Sequence, residues 1–255
     1  MSTADHDSDV REVTVHGTAA DRFAPVAETF AAVFAGRPTM GGALAIVVDG
    51  EPVVDLWAGV ADASTGEAWA RDTRSVIFSC SKGVTAIVLG RLVAEGALDY
   101  DDTVARHWPE FAVAGKASVT IGDVLSHRAG LSAPRQDLTL DQVLTPTGVA
   151  DELAAQSPLW EPGTAYSYHA LTQGWLLGEI VRRATGSTIG ELLARDITGP
   201  LGADVSIGLP EGERGHVATM HVGATLAAHD ATTPEGVPAF DAYWSRRAMT
   251  LGAAF

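Results

Sequence analysis

The 255-residue chain, with a mass of 26.5 kDa, is long enough to bury a sizeable core in one large or two small domains. Its formal net charge of −15 argues against nonspecific binding to nucleic acid or to an anionic membrane surface, since both need a basic face. The single cysteine, Cys80, excludes an internal disulfide framework and a multi-cysteine metal site. Since the acidic start lacks the features of a secretory signal and no apolar stretch could cross a bilayer, we expect a cytoplasmic protein.

The first hundred residues predict a helix, a pair of strands and a second helix. A helical pattern opens at Asp21, and two apolar strands follow at Gly42–Val48 and Pro52–Ala58, joined by the hairpin signal Asp49-Gly50. Both strands are apolar on both faces, which is typical of strands covered on both sides. The spacing of apolar residues then predicts a helix over Ser79–Glu95.

The rest of the chain predicts loops with short helices. Thr120–Ser126 reads as a short helix, and Leu171–Thr185 as a longer one that ends at a glycine. Ser187 is a suitable N-cap for a further helix over Thr188–Ile197. Periodicity is weak from Leu209 onward, so no element is predicted there.

The tetrapeptide Ser79-Cys80-Ser81-Lys82 is the strongest chemical signal, since common nucleotide-binding, zinc and serine-hydrolase motifs are absent. At a helix start, residues i and i+3 share a face, so the Ser79 hydroxyl and the Lys82 amine can meet. A serine needs a neighbouring base to act as a nucleophile, and a neutral lysine can be that base. The alternative is structural: Ser79 caps the helix, and Lys82 is a solvated residue of its first turn.

A second candidate is Tyr168, in the segment Tyr166-Ser167-Tyr168-His169. A phenol beside an ammonium group shifts toward phenolate and can relay a proton, so Tyr168 could serve a leaving group. The alternative is that Tyr168 is a packing residue with a bonded hydroxyl. His216, His221 and His229 match no usual metal-binding spacing, and the sequence predicts no metal and no organic cofactor.

Three motifs in order resemble the serine β-lactamase-like superfamily, and most closely its class C β-lactamase-type (family VIII) carboxylesterases. They are the segments 78–83 (FSCSKG), 119–131 (VTIGDVLSHRAGL) and 162–168 (PGTAYSY). The resemblance implies an α+β fold with an antiparallel sheet flanked by helices plus a mostly helical domain. It assigns residues 10–100 to the first domain, with Ser79 and Lys82, and residues 101–255 to the helical domain, with Tyr168.

The resemblance also implies roles for the individual residues. Ser79 would be the nucleophile, Lys82 its base and Tyr168 the partner in proton transfer. Gly130 and Leu131 would shape the floor of the substrate cleft, and His127 would be structural.

The chain departs from the β-lactamase pattern in the Tyr-x-Asn motif, which here reads Tyr168-His169-Ala170. The amide that helps to hold a lactam substituent is lost, which favours an ester substrate. His169 could compensate by contacting the substrate, or it could face solvent.

A third motif such as His-x-Gly or Trp-x-Gly is absent between Pro210 and Phe255, so the chain resembles the N-terminal part of a complete enzyme whose C-terminal strands are missing. We therefore expect an unpaired sheet edge beside Gly42–Val48, self-association through it, and little activity from these 255 residues alone.

The sequence thus predicts a serine hydrolase that cleaves small carboxylic esters through an acyl-enzyme on Ser79, without nucleic-acid or membrane partners. The alternatives are a truncated, non-catalytic member of the fold, or a β-lactamase, DD-peptidase or acyltransferase of the same fold.

Overall fold

A computed structural model describes most of the chain, namely residues 13–145, 147–209, 212–213, 217–221 and 239–251. These residues fall into two compact units that divide between Val76 and Ile77. The described residues between 209 and 221 belong to the first unit, and residues 239–251 belong to the second. The architecture is α+β, because the first unit carries the sheet and the second is helical.

The first unit is built on an antiparallel sheet with β3 at its centre. Its strands are β1 (Val15–Ala19), β2 (Gly41–Val48), β3 (Glu51–Asp62) and β4 (Glu67–Ala68). The order is β1-β3-β2, and β4 pairs with the far end of β3. The β2–β3 hairpin turns at Asp49 and Gly50, whose φ angles of 53° and 82° are both positive, as an Asp-Gly turn requires.

One face of this sheet is covered by the first helix, α1 (Ala24–Val33), which follows a 3-10 turn at Asp21–Phe23. Apolar side chains of the turn and helix, including Phe23 and Phe30, pack against the buried Val54 of β3. Within the described part of the chain β2 pairs only with β3, so its outer edge is unpaired as expected. Self-association through that edge stays a prediction.

The other α-helices among the described residues belong to the second unit. They are α2 (Cys80–Ala94), α3 (Val104–His107), α4 (Ile121–Leu125), α5 (Leu140–Leu144), α6 (Gly148–Ala155), α7 (Thr172–Thr185), α8 (Ile189–Leu193), α9 (Gly199–Leu201) and α10 (Ala239–Thr250). A 3-10 turn lies at Pro109–Ala112 and a π turn at Ala194–Thr198. Three short helices, α4, α5 and α8, begin with capping boxes in which a threonine side chain accepts from a backbone N–H.

Helix α2 belongs to the helical unit, because its buried residues Val88, Leu89 and Leu92 are part of the core formed with α7 and α8. The two units therefore divide about one helix earlier in the chain than the sequence predicted. The predicted domains, residues 10–100 and 101–255, remain a prediction about the whole fold. The N-cap of α8 is Thr188 rather than Ser187, since Thr188 completes a capping box with Glu191.

Helix α10 lies in the region for which the sequence predicted no element. No described helix is both long and apolar enough to cross a lipid bilayer. A cytoplasmic location stays a prediction from the composition.

Candidate active site

Ser79 lies at the start of α2, where its hydroxyl is not used by the helix backbone. It occupies the N-cap position, yet its side chain makes no capping hydrogen bond, so the interpretation of Ser79 as a helix cap is wrong. The preceding residue, Phe78, has a positive φ of 44°, a strained conformation for a bulky side chain. Ser79 is exposed, and its amide N–H makes no backbone hydrogen bond within the described residues.

The three residues predicted to be catalytic meet at the Ser79 hydroxyl. The Tyr168 Oη donates a hydrogen bond to the Ser79 Oγ at 2.7 Å. The Lys82 Nζ lies 3.4 Å from the same oxygen, at the long limit of a hydrogen bond. Of the two groups that can exchange a proton with Ser79, the Tyr168 hydroxyl is therefore nearer than the Lys82 amine.

Lys82 is held in place by a backbone group that sequence reasoning missed. Its Nζ donates to the carbonyl oxygen of Ala170 at 2.6 Å and lies 4.9 Å from the centre of the Tyr168 ring. In the sequence, Ala170 is notable only for the side-chain amide that it lacks. A backbone acceptor carries no residue-type signal, so the pattern of residues could not have revealed this contact.

The surroundings of Tyr168 favour its ionised form. The hydrogen bond to Ser79 has the largest effect, and the hydrogen bond and positive charge of Lys82 add to it. Together they lower the pKa of the Tyr168 phenol below its usual value. Tyr168 is 44% exposed, so burial opposes this effect only in part. A phenol with a lowered pKa beside a serine hydroxyl is suited to accept and return a proton.

The loop that carries Tyr168 is fixed by main-chain hydrogen bonds to the segment His127–Leu131. The N–H of Gly163 donates to the Arg128 carbonyl at 3.0 Å, and the N–H of Leu159 donates to the Gly130 carbonyl at 2.7 Å. Farther along, the Thr172 hydroxyl donates to the Leu131 carbonyl at 2.7 Å. The segment 119–131 thus positions the loop that carries Tyr168 through hydrogen bonds to its main-chain groups.

Gly130 and Leu131 do not line a substrate surface, which corrects the expectation that they shape the cleft floor. Leu131 is fully buried in the helical core. Gly130 has a φ of 73°, and a Cβ there would lie 2.6 Å from the Trp160 carbonyl oxygen. Glycine is needed because two backbone segments approach closely, and not because a ligand does.

His169 is also not available to a substrate, so its predicted substrate-binding role is wrong for this structure. Its side chain is fully buried. Its Nε2 accepts a hydrogen bond from the Leu131 N–H at 3.1 Å, and its Nδ1 lies 2.7 Å from the Ser167 carbonyl oxygen. Burial lowers the pKa of His169 to about 4, so the imidazole is neutral at physiological pH.

The described residues contain no group of three or more His, Cys, Asp or Glu side chains arranged to hold a metal ion. His216 and His229, considered above as metal ligands, lie outside the described residues.

Comparison with known proteins gives a consistent family. A family model described as Beta-lactamase matches residues 26–251. The chain is 42% identical to the esterase/beta-lactamase LipL of Mycobacterium tuberculosis over 80% of this chain and 47% of that protein. It is 34% identical to penicillin-binding protein 4 of Amycolatopsis lactamdurans over 84% of this chain and 55% of that protein. The chain thus spans about half the length of these relatives.

Solved structures show the same fold. A family VIII carboxylesterase superimposes with a TM-score of 0.76 at 42% identity, covering 82% of this chain and 57% of that one. EstA from Arthrobacter nitroguajacolicus Rue61a superimposes with a TM-score of 0.77 at 36% identity, covering 93% of this chain and 60% of that one. These matches confirm the predicted β-lactamase/transpeptidase-like α+β fold.

Proposed function

The chain belongs to the beta-lactamase family, and from this premise we propose that the full-length protein is a serine hydrolase that cleaves carboxylic esters through an acyl-enzyme on Ser79. The observation that carries the proposal is the meeting of Tyr168 and Lys82 at the Ser79 hydroxyl, with the Tyr168 oxygen 2.7 Å away. A serine with an adjacent base that is itself oriented by a third group is the arrangement of an activated nucleophile.

In the proposed reaction the Ser79 Oγ attacks the ester carbonyl carbon while its proton passes to the Tyr168 oxygen. The tetrahedral oxyanion is stabilised by the Ser79 N–H at the start of α2. When the ester C–O bond breaks, Tyr168 returns the proton to the departing alcohol. Water then attacks the acyl-enzyme, gives its proton to Tyr168 and releases the carboxylic acid, and the proton returns to Ser79.

This order of proton transfer modifies the role predicted for Lys82 from the sequence, in which it was the direct base. The Tyr168 oxygen is closer to the Ser79 Oγ than the Lys82 Nζ is, and Lys82 also donates to the Ala170 carbonyl. We therefore assign Lys82 the task of lowering the pKa of Tyr168 through its charge, so that the phenolate which accepts the Ser79 proton forms more readily.

Ester substrates are favoured over β-lactams because Ala170 stands where an asparagine amide would contact a lactam substituent, and its buried side chain offers no hydrogen bond. The description of one similar solved structure as a family VIII carboxylesterase supports this choice, whereas the name of LipL covers both activities. In the full-length protein, kcat/KM for an aryl butyrate should exceed that for nitrocefin by at least about 10²-fold. Comparable values for the two substrates would contradict the assignment.

The nucleophile is tested by labelling the full-length protein with a fluorophosphonate probe and measuring hydrolysis of short-chain aryl esters. Ser79→Ala should abolish both, while the matched control Ser81→Ala, two residues along the same turn, should keep both. Activity or label that survives in Ser79→Ala would refute the proposal. A wild-type protein that neither takes the label nor hydrolyses the esters would identify a non-catalytic member of the fold.

A further inference from the structure

We propose that His127 is a positioning residue that holds Tyr168 against Ser79 and that must be neutral to do so. The inference rests on the function proposed above. His127 contacts the residues on both sides of Tyr168. Its carbonyl oxygen accepts from the Ser167 N–H at 3.2 Å, and its ring Nδ1 accepts from the His169 N–H at 3.1 Å. One residue therefore holds the main chain on both sides of Tyr168, through the N–H groups of Ser167 and His169.

The same imidazole also contacts the Tyr168 ring directly. The two rings meet edge to face, with their centres 4.9 Å apart, and the His169 ring lies 5.6 Å from that of His127. Edge-to-face contacts of this kind fix the orientation of a ring as well as its position. The phenol of Tyr168 is thus aimed at the Ser79 oxygen by three contacts from His127, two with the backbone and one with the ring.

The backbone conformation at His127 favours glycine, which makes the presence of a histidine side chain there a feature to explain. Helix α4 ends at Leu125, and His127 takes the left-handed position after it, with a φ of 63°. Glycine is the usual residue there, with asparagine next, because a Cβ is disfavoured in this conformation. A histidine at such a position costs stability, and its contacts on both sides of Tyr168 give it a purpose.

The hydrogen bonds fix where the proton of each imidazole lies. Since the His169 N–H points at the Nδ1 of His127, that nitrogen carries no proton, and the neutral ring carries its proton on Nε2. In His169 the Leu131 N–H occupies Nε2, so the proton lies on Nδ1 and is donated to the Ser167 carbonyl. Each ring is therefore needed in one particular neutral tautomer. Protonation of either ring turns its accepting nitrogen into an N–H that faces a backbone N–H.

Three titratable groups from neighbouring elements face His127: Lys82 of α2, and Tyr168 and His169 of the loop. On its own segment, the charged residues are Asp123 and Arg128, which lie 3.7 Å apart as an ion pair. Burial and then the positive charge of Lys82 lower the pKa of His127 below its usual value near 6.5. Below that pKa the added proton would break the bond to the His169 N–H and place a second cation near Lys82, which would free Tyr168.

Two substitutions separate this role from a merely structural one. His127→Gly removes the acceptor and relieves the left-handed strain, so a loss of activity in it would not come from a strained backbone. His127→Asn tolerates the left-handed conformation and offers a side-chain oxygen near the position of Nδ1, without a group that titrates. Comparison of the two variants tests the acceptor and its protonation independently.

The experiment measures kcat and KM for an aryl ester from pH 4.5 to 8 in the full-length wild type and both variants. His127→Gly should lower kcat at least about tenfold at pH 7.5 and leave KM within about threefold. The loss is smaller than the roughly 10²–10⁴-fold of a general acid–base group, because Tyr168 is displaced and not removed. His127→Asn should recover at least half of the wild-type kcat and lose one protonation from the acid limb of its profile. An unchanged kcat in His127→Gly, or a wild-type acid limb in His127→Asn, would overturn the inference.

A measurement without substrate separates a failure of this inference from a failure of the proposed function. In ¹⁵N-labelled protein, the Nδ1 of His127 should resonate as an unprotonated nitrogen at pH 7.5, and a protonated Nδ1 would overturn the inference whatever the activity. If the wild type is neither active nor labelled at Ser79, it is the proposed function that fails. If the wild type is active and His127→Gly matches it, only the role of His127 fails.

Discussion

The surroundings of Lys82 and Lys116, the only two lysines in the sequence, differ in what lies within reach of each ammonium group. The Lys82 Nζ reaches a serine hydroxyl and a phenol ring besides the Ala170 carbonyl. Among the described residues, the Lys116 Nζ contacts structural partners, namely the carbonyl oxygens of Val113 and Gln156 and the ring of Phe111. Lys116 is fully buried, and burial lowers the pKa of its amine.

The comparison teaches that a scarce residue type is not by itself a mark of catalysis. An amine that can lose its proton suits a catalytic site, but it equally suits a buried site where a guanidinium would have to remain charged. Lys116 links its own loop to the end of α6, because it donates to the carbonyl oxygen of Val113, three residues earlier, and to that of Gln156, the C-cap of the helix. The nearby Ser79 and Tyr168 distinguish Lys82 as the lysine for which we propose a catalytic role.

The largest effect should come from removing the amine of Lys82. Lys82→Ala should lower kcat at least about 10²-fold, because Tyr168 then loses the charge that favours its phenolate. Lys82→Arg keeps a charge that cannot act as a base, so it should retain at least about tenfold more activity than Lys82→Ala. Steady-state kinetics on both variants check this. An equal loss in the two would show that Lys82 takes the Ser79 proton itself.

A similar loss should follow removal of the Tyr168 hydroxyl. Tyr168→Phe deletes the oxygen nearest to the Ser79 Oγ and should lower kcat at least about 10²-fold with little change in melting temperature. The neighbouring Tyr166, which is 77% exposed, provides the matched control, and Tyr166→Phe should leave kcat within about twofold. If the two variants lose activity to the same extent, the phenol of Tyr168 does not transfer the proton.

Substitution at Lys116 should affect stability and leave catalysis alone. Lys116→Met keeps the buried stem but leaves two carbonyl oxygens without their donor, so the free energy of unfolding should fall by about 1–3 kcal/mol. Chemical denaturation checks this, and kcat/KM measured in parallel should stay within about threefold. A stable variant with impaired catalysis would reverse the roles of the two lysines.

The pH dependence of stability provides a second test of Lys116. Because its pKa is lowered in the folded state, the unfolded chain binds the additional proton at alkaline pH below the usual pKa of about 10.4. Stability of the wild type relative to Lys116→Met should therefore rise with pH up to that value. A difference that stays flat or falls between pH 8 and 10 would contradict burial as the cause of the shift.

Local patterns in the sequence predicted the parts of the fold that depend on neighbouring residues. The Asp49-Gly50 turn gave the β2–β3 hairpin, and the spacing of Ser79 and Lys82 along a helix start placed their side chains on one face. The cap of α8 could also have been found, since Thr188 and Glu191 have the spacing of a capping box. Helix α10 has too weak an apolar periodicity to be recognised.

Contacts between distant segments were not readable from local patterns. The approach of Tyr168 to Ser79 followed only from the family resemblance, because the residues are far apart in sequence. The burial of His169 and the bond from Lys82 to the Ala170 carbonyl had no signal at all, since each depends on how the His127–Leu131 segment pairs with the Tyr168 loop. The resemblance correctly placed Ser79, Lys82 and Tyr168 close together, but it also placed Leu131 at the floor of a cleft, whereas that side chain is fully buried.

The most direct test of the account is to trap the covalent intermediate. The full-length protein is mixed with an aryl ester, quenched in acid during turnover and mapped by peptide mass spectrometry. The account predicts an acyl adduct on the peptide that carries Ser79, with fragment ions that place it on that serine and not on Ser81 or Cys80. Turnover with an adduct on another residue, or with none at all under conditions in which acylation outpaces deacylation, would contradict it.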